Sequence, residues 1–304
     1  EGRAFAHALD GTSYELASLG KFAWENSVAR PVAGPKTVVL GTDDGAGGQL
    51  YVYVGQKRST GNPTEKAGLT GGSLYGIKVA GFVIENAASG IPSGTRFTGA
   101  PLGDVSATTG AQLEVASDAA GVTEFLRPED AAWDPRNPND LYFVTTAGFT
   151  GQSRLWRLRF DDPANPAAGG AIDQLLEGTE DGGTGERLHM LDNIAVDGRG
   201  KVMLQEDPGN QPYLARIWQY DIESDSLTEV AAHDPERLAV GAPQLLTTDE
   251  ESSGIIDVSS ILGEGWYLLD VQAHYTHADP ALVEGGQLLA MHVPPGKFPK
   301  QGKG

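Results

Sequence analysis

Short apolar segments with alternating polar positions follow one another along the chain, and Gly, Pro, Asn and Asp residues separate them. The clearest group lies between Glu129 and Glu177. Its segments are rich in aromatic and β-branched residues, which is typical of β-strands joined by turns. We predict four strands in this group: EDAAWDP from Glu129, LYFVTT (141–146), RLWRLRF (154–160) and AIDQLLE (171–177).

The same group recurs on both sides of this segment, which indicates an internal repeat. The second strands of the groups begin at Thr37, Leu141, Lys201 and Trp266, and the last three are spaced by about 60 residues. The other predicted strands are WENSVAR (24–30), TVVLGTDD (37–44), QLYVYVGQK (49–57), SLYGIKV (73–79), DNIAVD (192–197), KVMLQED from Lys201, RIWQYD (216–221), SLTEVAA (226–232), SGIIDVS (253–259), WYLLDVQAH (266–274) and GQLLAMHV (286–293).

Four antiparallel strands repeated in series are the blades of a β-propeller. We therefore predict an all-β fold, a single propeller domain over residues 1–304 with four-stranded antiparallel blades around a central channel. An ordinary β-sandwich with coincidental spacing is the alternative. The last group lacks a fourth strand. Residues 80–122 are rich in Gly, Ala, Ser and Thr, which predicts a loop-rich insertion or one further blade that the pattern does not resolve.

Composition narrows the class of protein. The chain of 304 residues contains 41 Gly and 18 Pro, which disfavours helical bundles, and no Cys, which excludes disulfides and thiolate chemistry. Its formal net charge of −19 disfavours nucleic acids and anionic membranes as partners. No apolar run is long enough to insert into a bilayer. The acidic opening without Met predicts the C-terminal majority of a longer protein, so an N-terminal segment of the same protein is an expected partner.

Acidic residues stand near the start of each predicted innermost strand: Glu25, Glu129, Asp192, and Glu250 or Glu251. In a propeller these positions meet at one mouth of the channel. Carboxylates that converge there would repel each other and raise each other's pKa unless a cation lay between them. Carboxylate-rich sites suit Ca²⁺, Mg²⁺ or Mn²⁺. The alternative for each residue is a structural role as a turn cap between blades.

The ends of the second strands offer further ligands. Asp43 and Asp44 end one such strand, Glu206 ends another, and His274 ends a third. His189 lies three residues before Asp192 and is expected at the same mouth. Imidazole beside carboxylates would favour Mn, Fe or Zn over a pure Ca²⁺ site.

Several of these segments resemble one known family. RPEDAAWDP, LDNIAVDGRGKVMLQEDPGN, TTDEESSGIID and WYLLDVQAH resemble the PhoX-like bacterial alkaline phosphatases and the related propeller phosphotriesterases, the haloalkylphosphorus hydrolases. The resemblance extends from WENSVARP to EGGQLLAMHV. It implies a periplasmic or secreted propeller that holds several metal ions at the channel mouth and cleaves small phosphoester substrates.

The resemblance also implies roles for individual residues. Arg127 in RPED would contact the substrate phosphate, and Glu129 would bind metal. The other implied metal ligands are Glu25, His189, Asp192, Glu206 and His274. PhoX phosphatases use a cysteine on iron, and this chain contains none. Either another set of Ca, Mn or Fe ions replaces the iron–calcium cluster, or the segment that carries the cysteine precedes Glu1.

The leading functional hypothesis is metal-assisted hydrolysis of phosphoesters, in which Arg127 grips phosphate oxygens with its planar guanidinium. A second hypothesis is a propeller lactonase or esterase with one Ca²⁺, for which Glu25, Asp192 and Asn193 would serve equally well. A third is a non-catalytic propeller whose cations only stiffen the blades.

Overall fold

Strands dominate the secondary structure of this protein. The structure is a computed structural model that describes residues 2–45, 47–282, 284–294 and 296. The strands are β1 Phe5–His7, β2 Ser13–Glu15, β3 Trp24–Ala29, β4 Lys36–Asp43, β5 Leu50–Gln56, β6 Ser73–Val79, β7 Thr95–Gly103, β8 Pro128–Trp133, β9 Asp140–Thr145, β10 Arg154–Phe160, β11 Gly170–Glu177, β12 Leu191–Val196, β13 Lys201–Glu206, β14 Arg216–Asp221, β15 Ser226–Ala232, β16 Glu250–Asp257, β17 Trp266–Ala273 and β18 Gly285–His292.

Helices are short and lie between the strands. The α-helices are α1 Pro63–Lys66, α2 Gly110–Ala120, α3 Pro235–Leu238 and α4 Ser259–Leu262, and the 3₁₀ helices are Ala17–Leu19, Pro166–Ala168 and Pro280–Leu282. None of the helices in the described part of the chain is long and apolar enough to cross a bilayer.

The strands form serial antiparallel blades. Blade A contains β3 to β6, blade B contains β8 to β11, blade C contains β12 to β15, and blade D contains β16 to β18. Within each blade, strands that follow each other in sequence are neighbours in the sheet. This confirms the predicted all-β fold built from propeller blades. Among the described residues, blade D has three strands, as the sequence predicted.

Residues 80–122 are more regular than predicted. They contain β7, which pairs antiparallel with β6 and with β11 and so joins the outer edges of blades A and B into one sheet of nine strands. They also contain α2, which begins with a capping box between Thr109 and Gln112. No separate blade forms there among the described residues. The sequence signal is weak because β7 carries exposed polar residues and three glycine or proline positions.

Continuous apolar segments form the second and third strands of the blades. Every residue of β9 is buried, and Trp156 of β10 and Trp218 of β14 are fully buried at equivalent places in blades B and C. A strand covered on both faces needs apolar residues at successive positions rather than strict alternation. These strands therefore position the innermost strands, where the acidic residues lie.

The chain divides into two compact units. The first contains Glu1–Phe143 and Trp156–Gln174, and the second contains Val144–Leu155 and Leu175–Gly304. The core of the first unit includes Leu40, Val52, Phe143 and Trp156. The core of the second unit includes Met203, Ile217, Ile255, Tyr267 and Leu269. The prediction of a single domain stays a prediction.

Candidate active site

Irregular strand pairing marks the acidic positions of the innermost strands. β3 begins with Trp24–Asn26 and β12 with Leu191–Asn193, and each segment reads apolar residue, acid, asparagine. The register of β3 on β4 and of β12 on β13 shifts across these segments. A bulge of this kind re-aims side chains and is common beside active sites. The side chains of Glu25 and Asp192 therefore point in other directions than they would in a regular strand.

The first acidic cluster contains Glu25 of β3, Asp44 after β4 and Glu129 of β8. One carboxylate oxygen from each residue lies within 4.8 Å of the other two. We call this set the Glu129 cluster. The structure thus brings together Glu25 and Glu129, which the sequence analysis expected at the starts of two innermost strands. Asp44 completes the cluster from the end of one of those strands.

Arg127 binds two members of the Glu129 cluster. Its Nε and Nη2 donate to the two oxygens of Asp44 at 2.8 and 3.0 Å, and Nη2 lies 2.9 Å from Oε1 of Glu129. The Arg127 backbone has φ +60°, a left-handed conformation that costs a non-glycine residue about 1–3 kcal/mol. Such strain is retained where the surroundings hold it. Here the two carboxylates hold the guanidinium against the cluster.

Negative charge accumulates in this region. The pKa of Glu25 is raised because neighbouring groups shield its carboxyl from water and because Asp44 and Asp130 add negative charge, while Arg127 opposes the shift. Burial also raises the pKa of Asp43 to about 6, although two backbone N–H groups donate to Oδ1 of Asp43. A bound cation would relieve this repulsion.

The second acidic cluster contains Asp192 of β12, Asp207 after β13 and Glu251 of β16. Its carboxylate oxygens also lie within 4.8 Å of one another. We call this set the Glu251 cluster. Burial and the charge of Asp207 raise the pKa of Glu251 to about 7, although the Ser253 hydroxyl donates to Glu251 at 2.7 Å. The carboxylate of Glu251 is therefore easily stabilised by a cation.

Glu206 lies outside this cluster, in contrast to the ligand role that the resemblance implies. It is fully buried, and its carboxylate accepts hydrogen bonds from the backbone of His189 at 2.7 Å, the backbone of Arg216 at 3.0 Å and Nε1 of Trp218 at 2.8 Å. Burial raises its pKa to about 8. These contacts connect the loop before β12 to blade C, which is a structural task.

Asp207 is the cluster member that the sequence prediction did not name. Asp43 and Glu206 are the last residues of β4 and β13, and each is a buried carboxylate that accepts backbone N–H groups. The residues that follow them, Asp44 and Asp207, join the two clusters. Aligning VVLGTDD with VMLQED would have revealed this correspondence. Glu250 is likewise buried and accepts the N–H of Ala215 at 3.1 Å, whereas Glu251 is the cluster member.

The two predicted histidine ligands belong to neither cluster among the described residues. The ring of His189 stacks on Tyr213 with centroids 4.1 Å apart, and burial followed by the charge of Arg216 lowers its pKa. Nδ1 of His274 lies 3.1 Å from Glu284. Burial lowers the pKa of His274, but Glu284 and Glu251 outweigh burial and raise it. His274 therefore lies within electrostatic reach of the Glu251 cluster.

The donor sets of both clusters fit a hard divalent cation. All six donors are carboxylate oxygens, the type that Ca²⁺ and Mn²⁺ prefer. Two ligands on one ion are separated by at most about 5 Å, twice the usual metal–oxygen distance. The spacing within each cluster meets this limit. Burial and neighbouring carboxylates raise the pKa values of Glu25 and Glu251, and a bound cation would offset this destabilisation of the charged forms.

Comparison with solved structures finds proteins with a similar fold. The complex of Pseudomonas fluorescens PhoX with vanadate, a transition-state analogue, aligns with a TM-score of 0.63 and 16% sequence identity, over 86% of this chain and 50% of that chain. This chain thus spans about half the length of that protein. The β-propeller domain of the Trilobed protease from Pyrococcus furiosus aligns with a TM-score of 0.31 and 10% identity, over 91% of this chain and 71% of that chain.

Sequence comparison establishes the family. A search of curated proteins finds no match to the chain. The family model described as alkaline phosphatase PhoX matches residues 6–217, which is more than half of the chain and contains Arg127, both acidic residues of RPED, and Asp192. The chain therefore belongs to the alkaline phosphatase PhoX family.

Proposed function

We propose that this protein is a metal-dependent hydrolase of small phosphoesters. The observation that carries the proposal is the Glu129 cluster, in which three carboxylates meet beside the guanidinium of Arg127. An acidic chain repels phosphate, and bound cations would reverse the local field. Membership of the PhoX family and the vanadate complex of the Pseudomonas protein support the same reaction class.

The residues that would hold cations are the two clusters. Glu25, Asp44 and Glu129 would form one site, and the Glu251 cluster would form another. A bound divalent cation supplies positive charge that neutralises phosphate oxygens during hydrolysis. The donors are hard oxygens, so we expect Ca²⁺ or Mn²⁺ in preference to soft metals. His189, Glu206 and His274 are proposed to support these sites from outside.

Arg127 would orient the substrate. Its planar fork already binds a carboxylate with two parallel hydrogen bonds, and a phosphate presents oxygens in a matching arrangement. Its side chain is 43% exposed, so a small phosphoester can reach it. In this role Arg127 exchanges Asp44 for substrate oxygens and stabilises the negative charge that develops on them.

A periplasmic or secreted location remains the expectation from the family.

The test is turnover of p-nitrophenyl phosphate by the purified full chain before and after treatment with EDTA. We expect activity to fall at least 100-fold on chelation and to return with Ca²⁺ or Mn²⁺. Glu129→Gln should lose bound metal and activity together. Arg127→Ala should keep its metal but raise KM and lower kcat/KM about 100-fold.

Matched variants separate these effects from general damage. Arg96 forms an exposed ion pair with Asp161 at 2.5 Å, and Glu223 lies on the surface, so Arg96→Ala and Glu223→Gln should keep full activity and metal. Full activity in metal-free protein would refute metal dependence. Turnover of lactones but not of phosphoesters would favour the lactonase, and metal-dependent stability without any turnover would favour the non-catalytic propeller. Elemental analysis then assigns Ca, Mn or Fe.

A further inference from the structure

A cavity outside the acidic residues described above lies in the second compact unit. Its volume is about 720 Å³, and it is lined by residues of the five strands β14 to β18 and by the segment after β15. Most of its wall is apolar, with Ile217 and Leu269 buried at its base and Leu246 and Leu289 at its exposed margin. A cavity of this size, with a mainly apolar wall and several polar side chains, is typical of small-molecule sites.

Two of the polar side chains that line this cavity, His233 and Ser252, form a hydrogen-bonded pair. Nε2 of His233 lies 2.9 Å from Oγ of Ser252, and the backbone N–H of His233 donates to Ala215 at 3.0 Å. Ser252 is fully buried. These contacts orient the imidazole and engage one ring nitrogen, so the other nitrogen is available to a ligand in the cavity.

The chemistry of the wall selects the class of ligand. Burial lowers the pKa of His233 to about 4, so the imidazole is neutral at physiological pH and attracts no charged group. Asp234 and Arg237, which also line the cavity, lie 3.6 Å from each other and largely offset each other's charge. A charged ligand would therefore have to displace one of these two side chains from the other, and it would lose hydration against the apolar part of the wall.

We propose that this cavity binds an uncharged, largely apolar small molecule that forms one hydrogen bond with His233. The site differs from the Glu251 cluster in its chemistry and in the face of β16 that it uses. Ser252 follows Glu251 on β16, and adjacent side chains of a strand lie on opposite faces. The proposal therefore does not depend on the phosphoester hydrolase function.

Two fluorescent probes with the same apolar body test the proposal. N-phenyl-1-naphthylamine is uncharged, and 1-anilinonaphthalene-8-sulfonate carries a sulfonate. Both are titrated into the full chain at pH 7.5, with and without EDTA. We expect saturable binding of one uncharged probe per chain, at least tenfold tighter than the sulfonate, and the same in EDTA. Absence of saturable binding, or equal affinity for both probes, would overturn the proposal.

Variants locate the bound probe. Gln287 is exposed, lines the cavity and lies on β18, so Gln287→Trp should fill the cavity and weaken binding at least tenfold. Ala231→Phe should act in the same way from β15. Leu288, the neighbour of Gln287, is 89% exposed and does not line this cavity, so Leu288→Glu should leave binding unchanged.

The ring resonances of His233 report on binding in the cavity, because a probe bound elsewhere on the surface would not shift them. Binding of the uncharged probe should shift the ring resonances of His233 in a ¹H–¹⁵N spectrum, and His233→Leu should weaken binding about three- to tenfold. Circular dichroism spectra confirm that each variant is folded. Loss of binding in Leu288→Glu with retention in both filling variants would place the probe on the exposed face of blade D and refute the cavity site.

Discussion

Protonation of His233 should make the stability of this protein depend on pH. Its pKa is about 4 in the folded chain and about 6.5 when unfolded. The unfolded chain therefore binds the proton more tightly, so stability is complete above pH 6.5 and is lost as pH falls toward 4. From these two values, the linked loss between pH 7 and pH 4.5 is about 2 kcal/mol.

The matched variant is His233→Gln, which does not titrate but keeps a side-chain hydrogen-bonding group near Ser252. Urea unfolding followed by tryptophan fluorescence gives the free energy of unfolding of both proteins at pH 7 and at pH 4.5. The acidic residues titrate in both proteins, so their contribution cancels in the comparison. The wild type should lose about 2 kcal/mol more than the variant over this interval.

Equal losses in the two proteins would contradict the reasoning. They would mean that His233 is solvated in the folded chain and that its hydrogen bond with Ser252 does not exclude water. A larger loss in His233→Gln would contradict the sign of the pKa shift itself.

Three further predictions concern the acidic residues and the packing. Glu206→Ala should lower the free energy of unfolding by roughly 3 kcal/mol because three buried donors lose their acceptor. Asp207→Asn should instead weaken Mn²⁺ binding at least tenfold in calorimetry, with little change in the free energy of unfolding. Gly41→Ala should cost about 1–3 kcal/mol in urea unfolding because a Cβ there would lie 2.4 Å from the ring of Trp24, whereas Gly148→Ala meets nothing within 4 Å. Saturation with a cation at 100 times its Kd should stabilise the protein by about 2.7 kcal/mol per site in thermal or urea unfolding, and EDTA should remove this gain.

Each of these predictions has an outcome that contradicts it. If Mn²⁺ affinity falls in folded Glu206→Ala but not in Asp207→Asn, then Glu206 and not Asp207 is the metal ligand. Equal stability of the Gly41 and Gly148 variants would show that the Trp24 ring moves without cost. Unfolding midpoints that do not respond to either cation or EDTA would argue against cation sites in both clusters.

Local sequence determined most of the strands. RLWRLRF and RIWQYD coincide with β10 and β14, because dense aromatic and β-branched residues between turn residues leave few alternatives to a strand. The repeat then predicted the blades and the acidic starts of the innermost strands, including Glu25, Glu129 and Asp192. The structure then brings Glu25 and Glu129 close to Asp44, and Asp192 close to Asp207.

Local sequence could not show which of two adjacent acidic residues joins a cluster and which becomes a buried hydrogen-bond acceptor. Glu206 and Asp207 are both plausible ligands in the sequence, and only the position of Trp218 and the neighbouring N–H groups makes Glu206 a buried acceptor. The same holds for β7, whose polar residues form a strand because the edges of β6 and β11 are available to it.

What the sequence by itself determined is the all-β repeat and the acidic residues that the repeat brings to equivalent places. Only the tertiary structure decided which carboxylate in each adjacent pair joins a cluster. It also decided how Arg127 is held against the Glu129 cluster and that His233 lines a cavity. The physical reason is that periodicity along a strand is encoded within a few residues, whereas burial and charge pairing depend on residues far apart in the chain.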